Sequence, residues 1–274
     1  MDSYLEQNRA MWDSRVEAHV GSRAYDLDRF RTDPAALSDV VQFDLPRLGD
    51  VSGLRAVHLQ CHIGTDTLSL HRLGADVVGL DVSPRSLEAA RTLAAETGAE
   101  IPYVEADVYD APTVLGADSF DLVYTGIGAV CWLPSIDRWA ETVASLLRPG
   151  GRLFFRDGHP MLGTLEVEDG RIELRYPYFE HAEPLVFTDT TSYVDHVKPL
   201  PGLPSQEWSH ALSEIVTSLL RHGLVLDSLA EHDSIPWEGL PGLMEPHPDH
   251  PGEYRLAGHP ERLAASFTLT AHKA

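Results

Sequence analysis

Two residues in the first half of the chain have the type and position of ligand-binding groups. Gly64 stands in a loop after the apolar run 56–59, and Asp81 ends the next apolar run, 77–80. A carboxylate at the end of the second strand of a βαβ unit accepts hydrogen bonds from ribose hydroxyls. The loop and the helix that follows it present backbone N–H groups to an anionic part of the same ligand. The pattern therefore predicts a site for a nucleoside cofactor.

The composition of the loop separates two classes of cofactor. A dinucleotide site requires G-x-G-x-x-G, because the pyrophosphate must approach the backbone closely. The loop here, residues 60–64, reads QCHIG and has a single glycine. After the third apolar run, the segment 105–108 places Asp107 where a carboxylate can accept a hydrogen bond from the amino group of adenine. Both observations favour S-adenosylmethionine, and an NAD-dependent oxidoreductase of the Rossmann type remains the alternative.

The order and spacing of these residues resemble the class I S-adenosylmethionine-dependent methyltransferases, in particular bacterial enzymes that act on small molecules. The resemblance covers about residues 54–160 and includes Pro-Gly-Gly at 149–151, before the fifth strand. The chain departs from the family pattern at Gln60 and His62, where glycine is usual, and at His58, where many members have an acid. The resemblance implies a methyltransferase that uses S-adenosyl-L-methionine and releases S-adenosyl-L-homocysteine. The cofactor-binding residues that it implies are His58, Gln60, Cys61, Gly64, Asp81, Val82, Asp107, Val108 and Thr125.

Short apolar runs alternate with helical patterns in the middle of the chain. Strands separated by helices form parallel sheets with right-handed crossovers. The pattern predicts an α/β fold with a doubly wound, Rossmann-like sheet of seven strands. The sheet is expected to be mostly parallel with an antiparallel last strand, and to carry N-terminal helices and a β-rich insertion after strand five. The predicted strands are 56–59, 77–80, 102–104, 120–124, 152–155, 224–226 and 266–270. The predicted helices begin at or beside Ser3, Asp33, Asp66, Ser83, Ser135 and Ser205.

Changes in residue composition and in the pattern of apolar residues divide the chain into four expected segments. Residues 1–50 form an N-terminal helical cover, and residues 51–159 form the S-adenosylmethionine-binding core. Residues 160–204 form a β-rich insertion or lid, which opens with a hairpin whose turn is Asp169-Gly170 and continues with strand-like pieces at 185–187 and 190–197. Residues 205–274 complete the core sheet, with a helix over 205–223 and a long loop over 236–260.

The acceptor of the methyl group is expected beyond the carboxyl ends of strands four and five, because ligands of open α/β sheets bind there. His159 follows strand five and is the candidate base, since an imidazole accepts protons near neutral pH; the alternative is a loop histidine that caps the strand end. Tyr25, Tyr124 and Trp132 are candidates for an aromatic wall facing the sulfonium and an apolar acceptor, although such residues are more often plain core. The candidate substrate-binding residues are Trp12, Tyr25, Trp132 and His159.

Two further positions have competing interpretations. Asn8 and Trp12 share a face of the first helix, which either covers the cofactor and acceptor or lies on the surface. His210 lies on the opposite side of the predicted helix 205–223 from Trp208, and is expected in solvent unless the insertion covers that side. Trp139 is expected in the core.

Composition narrows the classes of partner. Lys and Arg number 21 against 42 Asp and Glu, a formal charge of −21, which disfavours nucleic acid and anionic membrane surfaces. No apolar run approaches the ~18–20 residues of a spanning helix, and the N-terminus does not resemble a secretory signal. Cys61 and Cys131 form no disulfide framework, so a reducing, cytoplasmic location is expected.

The sequence predicts no metal site, because its 14 histidines show no established metal-ligand spacing. The expected partner is a small, partly apolar or aromatic acceptor, of the kind frequent in bacterial specialised metabolism. A protein that binds S-adenosylmethionine without transferring its methyl group is a further alternative. The acceptor atom (O, N or C) and homo-oligomer formation are left open.

Overall fold

Eight α-helices and fourteen strands make up the part of the chain that the computed structural model describes, residues 3–274. The helices are α1 (Ser3–Val20), α2 (Leu27–Thr32), α3 (Asp39–Leu48), α4 (Thr65–Arg72), α5 (Pro84–Glu96), α6 (Ala111–Leu115), α7 (Ile136–Leu146) and α8 (Leu212–Arg221). The strands are β1 (Arg55–Leu59), β2 (Asp76–Asp81), β3 (Tyr103–Glu105), β4 (Phe120–Thr125), β5 (Leu147–Gly158), β6 (Leu165–Glu168), β7 (Arg171–Leu174), β8 (Leu185–Phe187), β9 (Ser205–Glu207), β10 (Leu224–His232), β11 (Ser234–Ile235), β12 (Met244–Pro246), β13 (Tyr254–Leu256) and β14 (Ser266–Lys273).

Seven of these strands form the central sheet, in the order β10-β14-β5-β4-β1-β2-β3. Strands β1 to β5 pair in parallel, and β14 runs antiparallel to both β5 and β10. The chain enters at β1, proceeds outward to β3 and then returns to β4 on the other side of β1. The predicted fold class is confirmed, and the strand order reverses between β1 and β4, where such sheets bind their ligands.

Helices cover both faces of the sheet, which explains why its central strands are apolar throughout. On one face, Trp139 of α7 is fully buried against Phe155 of β5, as expected of a core residue. On the other face, Val41 and Leu48 of α3 pack with Leu70 of α4. These two layers hold the carboxyl ends of β1, β2 and β4 at one edge.

Local capping signals position the helices that follow β2 and β4. The Ser83 hydroxyl accepts a hydrogen bond from the Ser86 N–H (3.0 Å), with Pro84 at the first helical position of α5. The Ser135 hydroxyl accepts one from the Arg138 N–H (3.3 Å) at the start of α7. Side-chain acceptors at the N-cap satisfy N–H groups that have no partner in the helix, and both helices begin where the sequence predicts.

The prediction of a helix from Asp33 is wrong. The Asp33 carboxylate instead accepts a hydrogen bond from the Ala35 N–H (2.9 Å) and forms a turn after α2. The cap of the next helix is Ser38, whose hydroxyl accepts from the Val41 N–H (3.1 Å). Aspartate favours both caps and such turns, and here the turn is formed.

The second half of the chain agrees with prediction in one hairpin and differs from it in three other places. The hairpin β6–β7 has its expected turn, with positive φ at Asp169 (49°) and Gly170 (72°). No strand forms over 190–197 in the described structure. The predicted helix over 205–223 begins only at Leu212, because residues 205–207 pair with β8. The predicted loop 236–260 contains β12 and β13, which form a small sheet with β11.

Candidate functional site

The loop between β1 and α4, residues 60–64, adopts a backbone that favours glycine. Gly64 has φ +81°, and a Cβ there would lie 2.7 Å from Ala90 Cβ and 2.8 Å from the Tyr103 hydroxyl. Gln60 and His62 also have positive φ, 55° and 48°, which non-glycine residues rarely adopt. The loop therefore has the left-handed conformation of a glycine-rich turn and adds two polar side chains to it.

Asp81 ends β2 beside this loop. Its Oδ2 accepts a hydrogen bond from the His62 N–H and its Oδ1 one from the Ser83 N–H, both at 2.8 Å. Burial raises the pKa of the carboxyl to about 6, against the lowering effect of backbone N–H groups that include Val82. The Ser83 hydroxyl in turn donates to Asp13 of α1 at 2.6 Å. Asp81 thus joins the loop, α5 and α1 at one point.

Two buried polar atoms lack partners where the strand order reverses. The Gln60 amide donates to the Ala129 carbonyl at 2.8 Å, but its Oε1 has no hydrogen-bond partner among residues 3–274. The same holds within this range for the Thr125 hydroxyl at the end of β4. Buried polar atoms are normally hydrogen-bonded, so these two oxygens mark a place for a polar ligand.

The remaining predicted cofactor residues lie at the same edge in different roles. Asp107 follows β3, and its carboxylate accepts from the Tyr109 N–H at 3.1 Å, while Val108 is buried in the core beside it. The Cys61 side chain packs against α5, so only its backbone belongs to the loop surface. His58 Nδ1 lies 2.9 Å from the hydroxyl oxygen of Thr67, and burial lowers its pKa to about 3.

Helix α1 crosses above this edge and brings aromatic and imidazole rings together. The Trp12 ring lies 5.1 Å from the rings of His62 and Trp132, measured between centroids. His19 Nδ1 lies 2.7 Å from His62 Nε2. Burial lowers the pKa of His19 to about 2 and that of His62 to about 3, so both imidazoles are neutral at pH 7.

The insertion closes over the same rings. The hydroxyl oxygens of Tyr193 and Tyr25 are 2.6 Å apart, and His19 Nε2 lies 3.0 Å from the Ser192 hydroxyl oxygen. Tyr193 also contacts Trp237, with 5.9 Å between ring centroids. We call this group the aromatic–histidine cluster; it comprises Trp12, His19, Tyr25, His62, Trp132, Tyr193 and Trp237. It includes three of the predicted substrate-binding residues. No local pattern in the sequence indicates His19 or Tyr193, because their contacts are distant along the chain.

Helix α1 is fixed by its contact with β9 rather than by an apolar stripe alone. The Asn8 side chain donates to the Gln206 carbonyl and accepts from the Gln206 N–H, both at 2.8 Å. This pairing resembles the addition of one residue to a strand. The described contacts therefore tie α1 to β9, while its opposite side is exposed.

His159 lies outside the cluster, and the structure does not support its prediction as the base. Its Nε2 lies 2.9 Å from Glu231 Oε1, and its Nδ1 accepts a hydrogen bond from the Met161 N–H at 3.1 Å. Because both ring nitrogens are engaged, neither is free to accept a proton from a bound molecule. The ring contacts Phe267 and closes the end of β5, as a strand-end histidine would.

His210 is buried, because the insertion covers its side, which is the exception to the expected exposure. The residue precedes α8, and its Nε2 bonds the Leu133 carbonyl at 2.8 Å. Its Nδ1 lies 2.7 Å from Glu180 of the insertion, which covers this side. His210 therefore connects the insertion to the loop after β4.

Neither a metal cluster nor a membrane span occurs in the described part of the chain. Within residues 3–274, no group of three or more His, Cys, Asp or Glu side chains is placed to hold a metal ion. None of the helices in that range combines the length and apolar character needed to cross a membrane.

Comparison with known proteins agrees with this geometry. Residues 56–151 match a methyltransferase domain. The chain is 30% identical to a ubiquinone biosynthesis O-methyltransferase of Xanthomonas oryzae pv. oryzae (strain PXO99A), over 66% of this chain and 72% of that protein. It is 28% identical to the protein of the same name from Xanthomonas axonopodis pv. citri (strain 306), over 80% and 83%.

A solved structure shows the same fold. The S-adenosylmethionine-dependent methyltransferase from Mesorhizobium loti superposes with a TM-score of 0.58 at 22% identity, covering 90% of this chain and 100% of the other. The relatives and the domain match exclude the NAD-dependent oxidoreductase alternative. With its strand order and with Asp81 at the end of β2, the chain belongs to the class I S-adenosylmethionine-dependent methyltransferases.

Proposed function

We propose that the enzyme transfers the methyl group of S-adenosylmethionine to a hydroxyl oxygen of a small aromatic molecule held beneath α1 and residues 190–197. The observation that carries this proposal is the aromatic–histidine cluster above the loop 60–64. Its rings suit a flat apolar acceptor, and its tyrosine hydroxyls, which can both donate and accept, suit a hydroxyl group. The O-methyltransferase relatives support oxygen as the acceptor atom.

The residues at the edge of the sheet fit the cofactor. We assign Asp81 to the ribose hydroxyls and Asp107 to the adenine amino group, with Val82 and Val108 beside the adenine ring. The unpartnered oxygens of Gln60 and Thr125 would accept hydrogen bonds near the methionine part. We assign His58 to support of the loop through Thr67, and Cys61 and Gly64 to backbone contacts. When bound, S-adenosylmethionine supplies a methyl group activated by the positive charge on its sulfur.

The cluster would act mainly by alignment. Trp12 and Trp132 present aromatic faces, which attract a sulfonium and pack against an aromatic acceptor. All four ring nitrogens of His19 and His62 are engaged, with each other and with the hydroxyls of Ser192 and Ser86. Burial lowers the pKa of His19 to about 2, so it is a weak base. We therefore propose that the two imidazoles hold the aromatic rings in position, and that holding oxygen and methyl in line supplies most of the acceleration.

The test uses matched acceptors with isotopically labelled methyl groups. Phenols, the corresponding anilines and the corresponding saturated alcohols are incubated with the enzyme and labelled S-adenosylmethionine, and products are identified by mass spectrometry and carbon NMR. We expect label in methyl ethers of the phenols. Methylated anilines, or transfer to the saturated alcohols at equal rates, would contradict the proposal.

A further inference from the structure

The order of the strands determines which part of the cofactor lies where, once the proposed cofactor site is accepted; the inference rests on that site. Asp107 follows β3 at the edge of the sheet, and Asp81 follows β2 next to it. A ligand whose adenine lies at β3 and whose ribose lies at β2 must extend its remaining part over β1 and β4. The amino-acid tail of S-adenosylmethionine therefore lies above the carboxyl ends of those two strands.

The last polar residue of β1, one position before its end, does not supply a negative charge for that tail. His58 stands there, and burial lowers its pKa to about 3, so it is neutral at pH 7. An ammonium group placed at this point therefore has no carboxylate from β1 to meet it.

Helix α4, the element after β1, places a carboxylate close to His58. Asp66 lies in the first turn of α4. A Cβ built on Gly126, which follows β4, would lie 3.4 Å from Asp66 Oδ2, 3.5 Å from His58 Nε2 and 3.6 Å from the Tyr124 ring. The missing side chain of Gly126 thus leaves a small cradle bounded by a carboxylate oxygen, an imidazole nitrogen and an aromatic edge.

The charge around Asp66 is not balanced by a neighbouring cation. No salt bridge joins Asp66 to a basic side chain among residues 3–274, and its hydrogen-bonding neighbours are the hydroxyls of Ser38 and Thr65. The guanidinium of Arg156 acts on it only from a distance, since Arg156 binds Glu253 with both contacts at 2.9 Å. Asp66 is partly buried, and burial raises its pKa against the lowering effect of the Ser38 hydroxyl and of Arg156. A cationic ligand that pairs with the carboxylate would offset this cost of burying its charge.

We propose that Asp66 binds the α-ammonium group of S-adenosylmethionine in the cradle beside Gly126. Gly126 is required because any side chain there would occupy the place of the ammonium group.

Two ligands distinguish this role from a general effect on cofactor binding. S-Adenosylhomocysteine carries the amino-acid tail, and methylthioadenosine has the same nucleoside and sulfur without it. Calorimetry without acceptor measures the affinity of both for the wild type, Asp66→Asn, Gly126→Ala and Asp76→Asn. Asp76 is the matched control, because it is exposed at the opposite end of β2.

We expect Asp66→Asn to weaken S-adenosylhomocysteine about 10- to 100-fold, as for loss of a hydrogen bond between charged groups, and to leave methylthioadenosine unchanged. Gly126→Ala adds a methyl group at ordinary contact distance, so it should fold and show the same selective loss. Asp76→Asn should change neither affinity.

An equal loss of both ligands in Asp66→Asn, or no loss of either, would overturn the inference while leaving the cofactor site standing. Should Asp66→Asn not fold, the same comparison of the two ligands in Gly126→Ala decides the question. Failure of the wild type to bind S-adenosylhomocysteine would instead overturn the proposed site, and this inference with it.

Discussion

A single carboxylate, Asp81, connects the backbone of the cofactor loop to its proposed ligand. In the free protein it accepts hydrogen bonds from the N–H groups of His62 and Ser83. An ionised carboxylate has about four acceptor sites. With the Val82 N–H three of them are occupied, and ribose hydroxyls would use the remaining site or share the occupied ones. The residue therefore shapes the loop and would bind the ribose.

The affinity for S-adenosylhomocysteine should depend on the charge of Asp81. We expect Asp81→Asn to weaken binding by about 1.5–3 kcal/mol through loss of charged hydrogen bonds. Burial raises the pKa of the free carboxyl to about 6, and binding to ribose hydroxyls favours the ionised form. The wild-type affinity should thus fall as pH decreases through 6, and the variant should not show this fall. Calorimetry between pH 5 and pH 8 tests both; a fall of the same size in the variant would assign the titration to another group.

At the scale of elements, the residues proposed to cover the acceptor come from segments that are far apart in the chain. Helix α1 supplies Trp12 and His19, and the insertion supplies Ser192 and Tyr193. Neither segment has a regular partner in the central sheet. Helix α1 is fixed instead by contacts with β9 and with the start of α5, and the insertion contacts α1.

Removing the Tyr193 ring should affect the acceptor and not the cofactor. We expect Tyr193→Ala to raise KM for a phenolic acceptor about five- to tenfold, the loss expected for an aromatic contact, with S-adenosylhomocysteine affinity within about twofold. Phe179→Ala is the control, since this residue of the same insertion is 66% exposed. Steady-state kinetics with both variants tests the assignment, and an unchanged KM in Tyr193→Ala would remove the insertion from the acceptor site.

The elements with local signals could be predicted, and those set by distant contacts could not. Ser83 and Ser135 cap their helices through neighbours three residues away, and Asp169-Gly170 forms its own turn. By contrast, β9 exists because residues 205–207 pair with β8. Likewise His19 meets His62 across 43 residues of sequence. The sequence places aspartates at strand ends, where we predict contacts with the cofactor, but the position of Asp66 beside Gly126 depends on how α4 meets β4.

At the scale of the whole molecule, a buried charged group joins the sheet to its surrounding layers. Arg156 of β5 is fully buried, and its Nη2 contacts both carboxylate oxygens of Glu253 at 2.9 Å. Its Nε lies 4.0 Å from Asp44 of α3, which accepts a hydrogen bond from the Tyr124 hydroxyl. Burial raises the pKa of Asp44 to about 7, although the Arg156 charge opposes this effect.

Breaking this group on one side should destabilise the fold. We expect Glu253→Gln to lower the free energy of unfolding by about 3–5 kcal/mol, because it leaves the guanidinium buried without its main counter-charge. The double variant Arg156→Met with Glu253→Gln should recover part of the loss, since the uncompensated charge is removed. Urea denaturation measures all three; equal stability of Glu253→Gln and wild type would show that Asp44 alone compensates Arg156.

The most direct measurement concerns the path of the cofactor, which we propose crosses the edge of the sheet from β3 to β4 with its sulfur facing the aromatic–histidine cluster. A crystal structure with S-adenosylhomocysteine shows this path directly. We expect the ribose hydroxyls on the Asp81 carboxylate and the sulfur directed toward Trp12 and His62. A ribose bound away from Asp81, or a sulfur that faces away from the cluster, would contradict the proposed path.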